Sequence, residues 1–256
     1  MLCTFRGSRA SRLASLARRR SPILLAITLL AVGCGGGDGS GKLTVLAASS
    51  LTDVLQQLAP GTRFEFAGSD TLAAQLREGA KADVYAAAST RYPAELYAEG
   101  LVEKPVVFAT NRLVLIVPAD NPAGISSVSD LRRPGIRLVI GAEGVPVGDY
   151  TRKALARLGE TEALAQAVSE EQDVKGIVSK VALGEADAGF VYATDVRSVA
   201  GEVQAIELPA GAEAHAIYAA AVVTGAKHHR EAERFLALLR SEQGRSALRE
   251  AGFGLP

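Results

Sequence analysis

The residues of this chain best placed to do chemistry are neutral ones. Four segments in which a strand-like run gives way to a helix-like run carry hydroxyls, glycine or small side chains. They are Ala48-Ser49-Ser50-Leu51-Thr52-Asp53, Gly68-Ser69-Asp70-Thr71-Leu72, Gly144-Val145-Pro146-Val147-Gly148-Asp149-Tyr150 and Glu171-Gln172-Asp173-Val174. Each such turn leaves the first backbone N–H groups of its helix without an intrahelical acceptor and points the positive end of the helix dipole outward. In α/β folds these ends gather at the carboxyl edge of the sheet. Converging there, they form an anion site without a single arginine. Ser50, with Asp53 three residues on, has the spacing of a capping box and is expected at a helix N-cap. One such serine ordinarily does no more than finish its helix; four turns in one chain argue for a ligand.

Sets that would support other chemistry are missing from the 256 residues. There is no Gly-x-Ser-x-Gly elbow, no His-Glu-x-x-His and no Cys-x-x-Cys. The three histidines are His215 and the adjacent pair His228-His229. His228, His229 and Glu231 are ligand types, but adjacent rings rarely converge on one ion, and a site needs three or four ligands. A solvated helix N-terminus is the expectation there, with no metal ligands. No histidine lies near a candidate nucleophilic serine in sequence, so a serine mechanism has no evident base. Gly36 to Lys42 matches Gly-x4-Gly-Lys, yet Leu43 follows the lysine and a strand comes next, so it is no phosphate loop.

The formal charge of zero averages two unlike pieces. Residues 1–33 hold six arginines (Arg6, Arg9, Arg12, Arg18, Arg19, Arg20) and no acid; the remainder has 22 basic against 28 acidic residues. An acidic body argues against nucleic acid, which demands a basic footprint. The uncharged run 23–32 would rise roughly 15 Å as a helix, half a bilayer core, too short to span it. A basic segment followed by a short apolar one reads as an export signal. Ala31-Val32-Gly33-Cys34 then resembles a lipobox, with Ala31 in place of the usual leucine, and Gly/Ser-rich residues 34–41 would be the tether. Residues 1–33 are therefore expected to be a lipoprotein signal peptide. Cleavage before Cys34 would leave that cysteine as the lipid anchor and the only thiol, so the body has no internal disulfide.

From residue 42 the hydrophobic pattern alternates between the two periods. Strand-like runs cover 43–47, 64–67, 83–86, 113–117, 137–140, 189–192 and 217–223; helical spacing covers 51–59, 71–78, 151–158, 174–183 and 230–240. Such alternation means an α/β fold with mostly parallel sheets flanked by helices. The 223 residues after the signal suit two lobes. Crossovers near Asn111-Arg112 and Ala216-Ile217 would divide them into 42–111 plus 217–256 and 112–216.

Those residues also resemble a known family. Residues 43–53, Gly68-Ser69-Asp70-Thr71-Leu72-Ala73, Gly79 to Val84, Asn111-Arg112-Leu113-Val114, Val145-Pro146-Val147-Gly148 with Tyr150, Gly189 to Asp195, and the tail from Ser241 to Gly252-Phe253 are similar, in order, to the periplasmic molybdate-binding proteins of ABC transporters. The resemblance implies a type II periplasmic-binding-protein fold, two lobes closing over molybdate or tungstate, and delivery to a transporter permease. It implies no cofactor and a monomer held outside the cytoplasm by the membrane anchor at Cys34. By position, Ser50 and Ser69 would each give a hydroxyl and a backbone N–H, Val147 and Val174 backbone N–H groups, and Tyr192 its phenol. Val147 stands where the family has alanine and Ser49 where it has alanine; Asp70 is expected to face solvent or cap its helix. Other expectations to weigh are a binding protein of this fold for a different oxyanion or small anionic solute, a sensor lobe serving a receptor, and, remotely, a serine-dependent hydrolase using Ser49 or Ser50.

Overall fold

A computed structural model of the chain describes residues 42–212 and 215–256. The export signal, the tether and Cys34 lie outside the described residues. The body opens with β1 (Thr44–Ala48), whose residues from Val45 onward are buried, then a single 3-10 turn and α1 (Thr52–Leu58). Next come β2 (Arg63–Ala67), α2 (Ser69–Arg77), β3 (Val84–Ala87) and α3 (Arg91–Ala98). A long strand, β4 (Val106–Pro118), leads to β5 (Leu138–Gly141), α4 (Pro146–Leu158), β6 (Ala167–Glu171) and α5 (Val174–Ala182). The chain continues through β7 (Ala188–Tyr192), α6 (Ala193–Ser198) and β8 (Val203–Glu207). It ends with β9 (His215–Val222), α7 (His229–Arg240) and α8 (Glu242–Glu250). Among the described residues no helix is long and apolar enough to cross a membrane.

Strand β4 organises the rest. Its first half, Val106 to Arg112, pairs antiparallel with β9; from Leu113 onward it pairs antiparallel with β7 on one edge and β8 on the other. The strand order is β2-β1-β3-β9-β4-β7-β5-β6, with β8 paired to β4. The outer strands are parallel: β1 with β2 and β3, β5 with β6 and β7. Two strand groups result, one around β1 and one around β5, and β4 runs through both. At every parallel strand the chain turns into a helix at the carboxyl end, so the N-termini of α1, α2, α4, α5 and α6 all lie at that edge of the sheet. The branched apolar faces expected from the pattern form the core: Leu51 and Leu55 under β1, and Ile177, Val181 and Phe190 between α5 and β7. Each such buried side chain is worth about 1.5–3 kcal/mol.

Several elements exceed the periodicity reading. Helix α4 starts at Pro146 and not near residue 151, because proline at the first helical position needs no N–H acceptor and has a helical φ. Helix α3 carries Pro93 in its first turn, where the missing N–H costs nothing. Strand β6 is half-exposed and acidic at its end, which hides its alternation. His228 departs from the expected solvated terminus. Its backbone N–H donates to Asp83 Oδ1 at 2.9 Å and its ring Nδ1 lies 3.0 Å from Asp83 Oδ2, which also accepts from Thr44 N–H. The start of α7 is thus anchored to the starts of β1 and β3.

The first turn of α4 rests on the end of β5 through Gly148. A Cβ there would sit 2.3 Å from the Gly141 carbonyl oxygen and 2.4 Å from that of Ala142. Neither backbone atom can move far, so Gly148→Ala should cost about 1–3 kcal/mol. The melting temperature should fall by roughly 2–8 °C, as thermal unfolding followed by circular dichroism would show. An unchanged melting temperature would mean that α4 does not need this close approach.

Candidate functional site

Two of the turns face the site from the β1 group. Ala48 ends β1, and Ser49, Ser50 and Leu51 form the 3-10 turn before α1. Ser50 is not the N-cap expected from its spacing to Asp53: the cap position of α1 is Leu51, with no side-chain cap. The inserted 3-10 turn moves the helix start one residue on and frees the Ser50 hydroxyl, which lies 2.9 Å from the Tyr218 hydroxyl. Ser69 is the first residue of α2 and 1% exposed. Its Oγ accepts from Ala88 N–H at 3.0 Å and its carbonyl accepts from Tyr85 Oη at 2.6 Å. Both serines sit in turns that their neighbours hold rigid.

The β5 group supplies the other side. In α4 the first intrahelical bond runs from Asp149 N–H to the Val145 carbonyl, and Pro146 has no N–H, so the N–H groups of Val147 and Gly148 precede the ladder. The Val147 carbonyl in turn accepts from the buried Thr151 hydroxyl at 2.7 Å. Asp173 caps α5 by accepting from Gly176 N–H at 3.0 Å, which leaves Val174, the first helical residue, with its N–H outward. Tyr192 ends β7, is 1% exposed, and its phenol oxygen is buried with no hydrogen-bond partner. Burial pushes that phenol well above its ordinary pKa, so it stays protonated and remains a donor.

Ser50, Ser69, Val147, Val174 and Tyr192 all line one small cavity, in which the centre of a water-sized sphere has about 20 Å³ to move, with Ala48, Ser49, Gly68, Ala88, Val145 and Pro146 among the other walls. A cavity needs about 10–15 Å³ on this measure to hold one water, so this space suits a small compact group. No lysine or arginine lines it; the one charged wall residue, Asp173, has its carboxylate committed to its own helix. Asp70, expected to face solvent or cap α2, does neither. It is half-buried, with Oδ1 enclosed and unpartnered, and burial raises its pKa. No histidine is in the cavity wall, and Ser50 is bonded to a phenol rather than to a base. The arrangement can bind a small anion by neutral donors.

Contacts between the two strand groups flank the cavity. Gly68 faces the Gln172 carbonyl so closely that a Cβ would be 2.3 Å from it. Tyr92 Oη donates to the Gly144 carbonyl at 2.5 Å, and Arg91 lies 3.4 Å from Asp149. Behind the cavity Lys175, the residue after Val174, lies 3.5 Å from Asp53 on α1 and 3.7 Å from the buried Asp195 on α6. None of these contacts is marked by a motif. Asp195 alone left a trace, three residues after Tyr192, whose N–H it accepts at 3.2 Å.

Asp195 is 1% exposed and its Oδ1 has no hydrogen-bond partner. Burial pushes its pKa up to about 7 against the lowering effect of Lys175. A carboxyl raised on folding favours the folded state below its unfolded pKa, near 4, and that contribution is lost as the pH rises through about 7. Asp195→Asn should therefore flatten the fall in stability between about pH 4 and pH 7, an effect of order a few kcal/mol. Urea unfolding across that range would measure it. A parallel fall in both proteins would place the titrating group elsewhere.

Residues 43–254 match the model of the bacterial extracellular solute-binding proteins. The Molybdate-binding protein ModA of Mycobacterium tuberculosis is 37% identical over 232 residues, covering 87% of this chain and 88% of that protein. The Haemophilus influenzae protein of the same name is 32% identical, covering 90% and 96%. Among solved structures, the periplasmic molybdate-binding protein of Azotobacter vinelandii superposes with a TM-score of 0.75 at 23% identity, over 84% of this chain and all of that one. That superposition places the present architecture among the two-lobed periplasmic binding proteins. The relatives are binding proteins, and the chain belongs to the bacterial extracellular solute-binding protein family, in its ModA branch.

Proposed function

We propose that this protein captures molybdate or tungstate outside the cytoplasm and delivers it to the permease of an ABC importer. The observation that carries the proposal is a small cavity lined by neutral donors, one of them a buried phenol with no partner, while its one carboxylate, Asp173, caps its own helix. In this reading the lobes are 42–111 with 217–256, and 112–216. Ser50 and Ser69 donate from the first, and Val147, Val174 and Tyr192 from the second. Both anions are fully deprotonated at neutral pH and need donors alone, whereas hydrogen phosphate carries a proton that seeks an acceptor. The relatives named for molybdate, at 37% and 32% identity, support the same choice. The protein acts as a monomer and a carrier, not as an enzyme, and needs no cofactor.

Isothermal calorimetry with molybdate, tungstate, sulfate and phosphate tests this. Molybdate and tungstate should bind most tightly. Ser50→Ala with Ser69→Ala should weaken them roughly 100-fold or more, since a hydrogen bond to a charged group is worth about 1.5–3 kcal/mol, with the circular dichroism unchanged. Heat from sulfate or an organic anion but from neither metal oxyanion would refute the proposal.

Cys34 is proposed as the lipid anchor, in a segment 34–41 that holds five glycines and one serine among its eight residues. Stable attachment takes two or more acyl chains. Cys34→Ser should move the exported protein from the membrane to the soluble fraction on cell fractionation. An unchanged distribution would contradict the anchor.

A further inference from the structure

The hydroxyl of Ser50 is the end of a chain of hydrogen bonds whose direction can be read. It begins at Arg112, whose backbone N–H lies 2.9 Å from Asn111 Oδ1. A backbone N–H can only donate, so Oδ1 is the acceptor and the orientation of the Asn111 amide is settled. Its Nδ2 then donates to Thr194 Oγ1 at 2.8 Å and reaches the Tyr218 hydroxyl at 3.4 Å. Tyr218, receiving from Asn111, has one proton left, and the neighbour in line for it is Ser50 Oγ at 2.9 Å. Ser50 therefore accepts from the protein side and keeps its own proton for the cavity. Asn111 is 2% exposed and Tyr218 fully buried, so water does not compete along this path.

The other two hydroxyls of the cavity end in the same state by different means. Ser69 Oγ accepts from the Ala88 N–H, and the phenol of Tyr192 has no partner at all. All three protons are thus left to the ligand. The relay also joins the two sides of the site. Asn111 lies where β4 leaves β9 for β7, Tyr218 lies on β9, and Thr194 is two residues beyond Tyr192.

We propose that Asn111 and Tyr218 are positioning residues that make Ser50 an obligate donor, and that this polarity is what turns away anions carrying a proton. The proposal rests on the oxyanion-binding reading above and adds to it the residues that set its selectivity. Hydrogen phosphate has one P–OH group, which gains from a hydroxyl able to turn a lone pair inward; a fully deprotonated anion does not. Removing the Tyr218 hydroxyl frees Ser50 to rotate. Replacing the Asn111 amide by a carboxylate goes further. A carboxylate accepts from both Arg112 N–H and Tyr218, so Tyr218 turns away from Ser50, and Ser50 must donate to Tyr218 and present its lone pairs to the cavity.

The test is the ratio of affinities for the best-bound deprotonated anion (molybdate, tungstate or sulfate) and for phosphate, measured by calorimetry on the whole protein at neutral pH. Tyr218→Phe should weaken the deprotonated anion roughly tenfold and narrow its advantage over phosphate by about the same factor, and Asn111→Asp should narrow it further. In a Ser50→Ala background Tyr218→Phe should leave the ratio where it was. Phe253→Leu, which alters packing against the Tyr218 ring (centroids 5.4 Å apart) without touching the relay, should affect all anions alike. A ratio unchanged by both relay variants, or changed equally without Ser50, would overturn the proposal. Sulfate binding more tightly than either metal oxyanion would overturn the functional reading alone, and the relay would then be judged on sulfate against phosphate. Phosphate bound as well as the others, or no anion bound, would overturn both.

Discussion

The constraint on which the proposed function depends is that a site lined by no cation would have to hold an anion inside an acidic body. Beyond residue 33 the chain carries six more acids than bases, and the cavity wall adds no lysine or arginine to offset them. What remains is the peptide group and the hydroxyl. Backbone N–H groups at the starts of helices cannot be satisfied by their own helix, so they are already desolvated and aimed before a ligand arrives. The same holds for the Tyr192 phenol, buried with no partner. A buried donor left unmade costs about 1–3 kcal/mol. A structure keeps such a group where something from outside satisfies it.

This explains why the fold is arranged as it is. Parallel strands place helix starts on one edge, and two strand groups facing each other double the number of starts that converge. The long strand β4, shared between β9 and the β7–β8 pair, allows one chain to build both groups. The close approaches follow from the same need. Gly148 seats α4 on β5, and Gly68 lets the first group meet the Gln172 carbonyl of the second. Charged pairs join the two groups around the cavity, in Arg91 with Asp149 and in Lys175 with Asp53. There they tie the groups together without competing with the neutral donors inside.

Much of this was legible in the sequence because it rests on local signals. Hydroxyls and glycine at strand-to-helix turns, Pro146 before Val147, and Asp173 before Val174 each report on a few neighbouring residues, and the structure brings the five residues singled out into one cavity. The alternating pattern likewise gave the strands around β1 and the buried face of α5. Less visible was anything decided by pairing over distance. Tyr218 and Asn111 lie 168 and 61 residues from Ser50 in the chain, and only the register of β4 on β9 brings them beneath it. Polar edge strands such as β6 and β8 hide for a related reason, since their burial is one-sided and their stability comes from a neighbour. The capping-box spacing at Ser50 misled because one extra 3-10 turn shifts the helix start.

The central claim, that the anion is held by neutral donors alone, is tested most directly by anomalous diffraction at the molybdenum edge from crystals of the protein grown with molybdate. One strong peak is expected in the cavity, with oxygens within hydrogen-bond reach of the Ser50 and Ser69 hydroxyls, the Val147 and Val174 N–H groups and the Tyr192 phenol. A peak seated against an arginine or lysine, or one in the cavity that leaves the Tyr192 phenol unpartnered, would contradict the claim.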